Sequence, residues 1–129
     1  GLREDWVGVE NKPKGKFDLG EKIPSLNKNV VPVKGWIQDT LEIFLQEKKP
    51  EIKFIHIDVD TYETTKFILE TTKPYMAKNT IILFDEIYNF PGWDVGEYKA
   101  LTEVFSEDQY KFLAFSMKGQ QAAVEIMSN

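Results

Sequence analysis

Apolar and polar positions follow no regular period over residues 1–28, where glycines stand at 1, 8, 15 and 20 and prolines at 13 and 24 among many charges. That pattern predicts a largely irregular N-terminal segment with at most one short helical turn. Loops beyond about 12–15 residues are uncommon in compact domains unless they serve a function. Regular patterning begins at residue 30. Val30, Val31 and Val33 form a β-branched run broken by Pro32, and a residue without an N–H demotes the run to an edge or irregular strand. Ile37, Leu41, Phe44 and Leu45 recur at i, i+4, i+7 and i+8, one face of an amphipathic helix, which Pro50 closes. Residues 52–57 are almost continuously apolar, as in a strand buried on both faces. Thr65, Ile68, Leu69 and Thr72 mark a second helix ending near Pro74, and residues 80–84 a second buried strand. Asp94 with Glu97 three residues on reads as a helix start, with Tyr98, Leu101 and Phe105 as the buried face. Residues 110–116 and 120–127 are strand-like runs joined by Met117-Lys118-Gly119, a hairpin connection.

The predicted order is β-α-β-α-β-α-β-β. Alternating strands and helices imply parallel pairing with right-handed crossovers, and the terminal hairpin must add an antiparallel strand. The expectation is a single α/β domain over residues 1–129, its sheet mainly parallel with a C-terminal antiparallel hairpin.

Composition narrows the field. The 129 residues carry 16 basic and 21 acidic side chains, a net charge of −5, which argues against a nucleic-acid surface needing clustered Lys and Arg. Without cysteine there is no disulfide, thiolate catalysis or Cys-based zinc site. No apolar run approaches the ~18 residues of a membrane span, and no signal-peptide core opens the chain. These features predict a cytoplasmic domain.

In an open α/β sheet, ligands bind beyond the carboxyl ends of the strands. Two strands here end in acid: His56-Ile57-Asp58-Val59-Asp60-Thr61-Tyr62, and Phe84-Asp85-Glu86. If these strands are neighbours, Asp58, Asp60, Asp85 and Glu86 converge at one rim. Uncompensated carboxylates repel and resist ionising, so such clusters commonly hold a cation or share a proton, and hard oxygen ligands suit Mg²⁺ or Ca²⁺. Other readings stay open residue by residue. Asp60 stands three positions before Glu63 and fits an ordinary capping box; Asp85 and Glu86 fit a solvated loop. His56, the only histidine, suits a hydrogen-bonded core position as well as catalysis. Residues 89–94 (Asn-Phe-Pro-Gly-Trp-Asp) form either a wall over the site or a packed turn. Gly35-Trp36 either admits a ligand close to the backbone or simply begins a helix, and Tyr62 either shapes the pocket or merely packs.

Taken together, "KGWIQDTL", "FIHIDVDTYETT", "IILFDEIYNFPGW", "GEYKAL" and "GQQAAV" resemble the C-terminal part of the macrocin O-methyltransferase type of class I S-adenosylmethionine-dependent methyltransferases. "GLREDW" resembles the loop after that family's second strand. The resemblance implies a Rossmann-like sheet, truncated here, with S-adenosylmethionine and Mg²⁺ as cofactors and a hydroxyl of a sugar or small molecule as methyl acceptor. Carried over, Asp58, Asp85 and Glu86 are metal ligands, Asp60 is the general base, and Gly35 and Trp36 lie towards the adenine. Glu86 stands where relatives carry Asp, and its longer side chain alters the geometry available to an ion.

The chain also departs from that family. It contains no Gly-rich turn between a strand and a helix, and no further strand ending in an acid for the ribose. The resemblance places the missing strands beside residues 52–57. Their absence predicts a bare apolar edge, covered by self-association of copies or by the N-terminal segment. Two function classes follow: a methyltransferase domain, incomplete for its cofactor, or a non-catalytic remnant of the fold serving binding or assembly. A Mg²⁺-dependent phosphatase of the haloacid dehalogenase type is a weaker third, since Tyr62 stands where that motif requires Thr or Val; a glycosyltransferase D-x-D has no further support.

Overall fold

A computed structural model describes residues 1–6, 11–20 and 22–128. Gly8, part of the expected N-terminal loop, lies outside the described residues. The elements are α1 (Ile37–Lys48), β1 (Ile52–Ile57), α2 (Tyr62–Thr72), β2 (Met76–Phe84), α3 (Glu97–Val104), β3 (Tyr110–Phe115) and β4 (Ala122–Ile126), with single 3₁₀ turns at Lys73–Tyr75 and Trp93–Val95. The strands form one sheet in the order β1-β2-β4-β3. β1 runs parallel to β2, with Ile57 opposite Phe84; β4 is antiparallel to both β2 and β3. The α/β class, the truncated Rossmann-like sheet and the C-terminal antiparallel hairpin are as expected.

The helices form where the apolar spacing demands. The buried side chains of α2 are Thr65, Ile68, Leu69 and Thr72, the residues that carried its pattern. α1 ends at Lys49, which takes a left-handed conformation and returns its N–H to the Leu45 carbonyl before Pro50. The core sits between sheet and helices: Ile57, Ile82, Phe84, Val124 and Ile126 meet Ile68, Leu69, Ala100, Leu101 and Phe105.

Two expectations fail at the β1 side. Residues 30–33 form no strand, and Val30, Val31 and Val33 are exposed; Pro32 withholds a ladder donor, and no described strand lies where they could pair. The parallel share of the sheet is therefore the β1·β2 pair alone. β1 itself is an edge strand, exposed at Lys53, Phe54 and His56 rather than buried on both faces. The N-terminal segment folds back on itself through a Trp6–Lys12 bridge and bonds between Leu2 and Lys16 and between Gly15 and Leu2. Among the described residues it adds no strand to the outer edge of β1. Leu2 and Trp6 are nevertheless buried, so part of this stretch is anchored, unlike a solvated loop.

Candidate functional site

The β1·β2 ladder continues one step beyond the strands, the Asp85 N–H donating to the Ile57 carbonyl at 3.0 Å. The two acidic segments leave the sheet side by side. After Asp58 the chain makes a three-residue turn closed by the Thr61 N–H on the Val59 carbonyl at 2.7 Å, with Asp60 at its centre at φ 64°. A side chain in that conformation stores strain, although aspartate tolerates it better than most residues. The N-cap of α2 is Thr61, and it makes no side-chain capping bond. Asp60 therefore does not cap the helix, and the capping-box reading falls away.

The strained turn aims Asp60 at its neighbours. Asp58, Asp60 and Glu86 each present a carboxylate oxygen, all within 4.8 Å of one another. Burial, then the charges of Asp58 and Asp85, push the Asp60 carboxyl upward, partly offset by a hydrogen bond with Glu86. Burial, then the charges of Asp60, Asp85 and Asp58, push Glu86 up to about 8, and a hydrogen bond with Asp85 adds to this. One Glu86 oxygen is buried with no hydrogen-bond partner among the described residues. Oxygen donors of this kind, one left unsatisfied, fit a hard divalent cation.

Asp85 is not one of the three converging oxygens. Its Oδ1 accepts from Gln121 Nε2 at 3.4 Å and lies 3.7 Å from His56 Nε2. It stands beside the cluster, hydrogen-bonded to Glu86. His56 is half exposed at the sheet edge and not a core residue.

Three cavities meet at Asp60. One of about 290 Å³ is lined by Gly35, Trp36, Gln38, Asp58 and Asp60, so Gly35 and Trp36 do share a space with the carboxylates. Gly35 has φ 134°, and a Cβ there would meet the Thr40 methyl at 2.8 Å, so glycine is required. Arg3 bonds Asp39 at 3.2 Å and lies 4.8 Å over the Trp36 ring, tying the N-terminal segment to this wall. Gln38 lends its amide N–H to Thr64, and its carbonyl oxygen is buried without a partner among the described residues. A second cavity, about 550 Å³, is lined by Trp6, Phe17, Asp58, Asp60, Glu86 and Gln120. The third, about 280 Å³, runs between Trp6, Tyr62, Phe90 and Glu97 and includes Asp60 and Glu86. Phe90 is buried while Trp93 is half buried, so residues 89–94 both pack and face a cavity. Tyr62 lines the third cavity, and its hydroxyl donates a hydrogen bond to Glu103.

The family described as "Methyltransferase domain" matches residues 3–87, more than half of the chain. The chain belongs to that family. Among solved structures, the apo form of CalS11, a TDP-rhamnose 3′-O-methyltransferase of calicheamicin biosynthesis, is 32% identical, with a TM-score of 0.62 over 72% of this chain and 39% of that one. A second structure of CalS11, the calicheamicin methyltransferase, gives 32% identity and a TM-score of 0.63 over 72% and 36%. The chain thus spans less than two-fifths of those structures' length. No curated protein matches it.

One residue of this methyltransferase domain escaped the sequence reading. Glu97 was expected to partner Asp94 at a helix start, but it begins α3 pointing inward, 1% exposed, and its Oε2 accepts the Glu86 N–H at 3.1 Å. Its other oxygen is buried without a partner among the described residues. Burial drives its carboxyl well above the ordinary range, and the charges of Glu86, Asp85 and Asp60 add to this against the bond from the Glu86 N–H. The signal was present: Glu97, Leu101 and Phe105 share one helical face, an acid on an apolar stripe.

Two outcomes follow. Glu86 binds a proton on folding across the interval from about 4.5 to about 8, so in metal-free buffer its contribution is largest below that interval and stability falls as pH rises through it. Glu86→Gln is expected to flatten the thermal midpoint against pH over that range; an unchanged slope would show that Glu86 ionises freely. Replacing Asp60 with glycine removes both the left-handed strain and one of the crowded charges. Chemical denaturation of Asp60→Gly is expected to show a gain on the order of 1 kcal/mol, and a loss of stability would overturn this account of the turn.

Proposed function

We propose that this chain forms the metal- and acceptor-binding part of an O-methyltransferase acting on a hydroxyl of a sugar or another small molecule, of the macrocin type. The convergence of Asp58, Asp60 and Glu86 at adjoining strand ends, with cavities on either side, carries this reading. A bound Mg²⁺ would acidify the acceptor hydroxyl, and S-adenosylmethionine would supply the methyl group. Asp58 and Glu86 offer oxygens to the ion, and Asp85 braces Glu86 from behind. Asp60 borders both the Gly35–Trp36 cavity and the Trp6–Gln120 cavity. That position supports Asp60 as the base whose carboxylate Oδ takes the acceptor's proton where donor and acceptor meet. Gly35 lets a ligand approach the backbone, Trp36 offers an aromatic face, and the unpartnered Gln38 carbonyl offers an acceptor for a ligand N–H or O–H. Trp6 and Phe17 add aromatic surface beside the acidic rim. The CalS11 enzyme's described sugar substrate supports a sugar-like acceptor.

The alternative is a non-catalytic module for binding or assembly, which would use the same carboxylate rim without methyl transfer. Isothermal calorimetry at pH 8 with S-adenosylmethionine, with and without Mg²⁺, separates the two. Mg²⁺ is expected to bind the native chain, and Asp58→Asn to weaken it by about tenfold or more. Saturable S-adenosylmethionine binding refutes the module reading; Mg²⁺ binding without it favours the module; absence of Mg²⁺ binding removes the metal from the mechanism.

Association between copies belongs to the same proposal. Phe54 is 58% exposed on the edge of β1 that is left unpaired among the described residues, a surface suited to strand pairing. Light scattering is expected to give a mass above that of one chain, falling to one chain in Phe54→Lys; a native monomer would overturn it.

A further inference from the structure

The segment after Glu86 builds a further pocket with none of the acidic chemistry. Ile87, Tyr88, Asn89, Trp93, Tyr98, Phe112 and Phe115 enclose about 330 Å³, within the range of about 300–1,000 Å³ typical of small-molecule sites. A β-bulge makes this lining. In a regular strand Phe112 and Phe115 would face opposite sides of the sheet. The register with β4 slips at Leu113, however, so that Phe112 faces Val124 and Ala114 already faces Ala123. The extra residue brings both rings to one side, stacked with centroids 4.9 Å apart. Tyr88 meets Phe115 edge-on at 5.2 Å, and Trp93 meets Tyr98 edge-on at 4.8 Å.

Three polar groups of the wall are already committed. The Tyr88 hydroxyl donates to the Ser116 carbonyl, Asn89 Nδ2 to the Gly119 carbonyl and the Ile87 N–H to the Gln120 carbonyl. These bonds pin the wall to the β3–β4 connection before any ligand arrives. No carboxylate lines the pocket, which disfavours a cationic ligand despite the rings. We infer that this pocket is a binding site for a neutral, planar aromatic group, separate from the carboxylate cluster. Such a group would enter a preformed array of edges and faces and extend its edge-to-face pairs.

The test titrates 2-naphthol, its saturated counterpart 2-decalinol, and tetramethylammonium, reading aromatic and methyl NMR shifts. 2-Naphthol is expected to perturb Ile87, Tyr88, Trp93, Phe112 and Phe115, and to bind about tenfold more tightly than 2-decalinol, as two edge-on contacts would give. Phe115→Ala is expected to weaken it several-fold; Phe115 is 53% exposed on an edge strand, so this variant should fold even if Trp93→Ala does not. Asp58→Asn is expected to leave 2-naphthol binding unchanged. Equal affinity for 2-decalinol, tighter binding of tetramethylammonium, or shifts centred on Phe17, Trp36 or Phe54 would overturn the inference. Neither a divalent metal ion nor a methyl donor enters the assay, so its failure is distinct from failure of the methyl-transfer reading.

Discussion

Ile57 stands opposite Phe84 in the only parallel pairing of the described sheet, and the ladder ends with the Asp85 N–H on the Ile57 carbonyl. Everything at the acidic rim follows from that register. Side chains alternate along a strand with a period of two, so a slip of one residue would send Asp58 and Glu86 to different faces. The register is held from below by side chains that water does not reach: Ile57, Phe84 and Ile82 on the strands, Ile68 and Leu69 on α2. Apolar burial thus supplies the free energy that keeps repelling carboxylates together, a division of labour common where a site is pre-organised against its own electrostatics.

The rim is also braced by contacts from elements beyond the β1·β2 pair and by its own turn. Glu97 reaches up from α3 to the Glu86 backbone and fixes where that residue leaves the strand. The Asp60 turn spends backbone strain on direction, giving a carboxylate that neither strand nor helix would have aimed inward. Asp85 is drawn sideways by Gln121 from the β3–β4 connection. The antiparallel hairpin at the far end of the chain therefore bears on the site as well as on the sheet.

How much of this was legible in the sequence depended on the range of the interaction. α2 was visible because a single helix face carries its burial, and the four residues that form its pattern are those that are buried. The acidic strand ends were visible because strand, acid and turn are contiguous in the chain. Asp85's displacement was not visible, since it depends on Gln121, distant in sequence. Neither was the fate of residues 30–33: a strand needs a partner, and the local pattern does not say whether one exists. The Asp94–Glu97 spacing satisfied a capping rule, yet the inward pull of the Leu101–Phe105 face overrode it. The bulge at Leu113 leaves no local trace either; it emerges only when β3 is laid against β4.

Asp60 contributes a wall to each of three adjoining cavities, and a shared wall cannot answer to one occupant alone. Whatever turns that carboxylate, neutralises it or relaxes its backbone from one side changes what the other two spaces present. By reciprocity each guest alters the affinity for its neighbours by the factor with which they alter its own. Any coupling among guests at such a site would then run through a single aspartate, its carboxylate and its strained backbone.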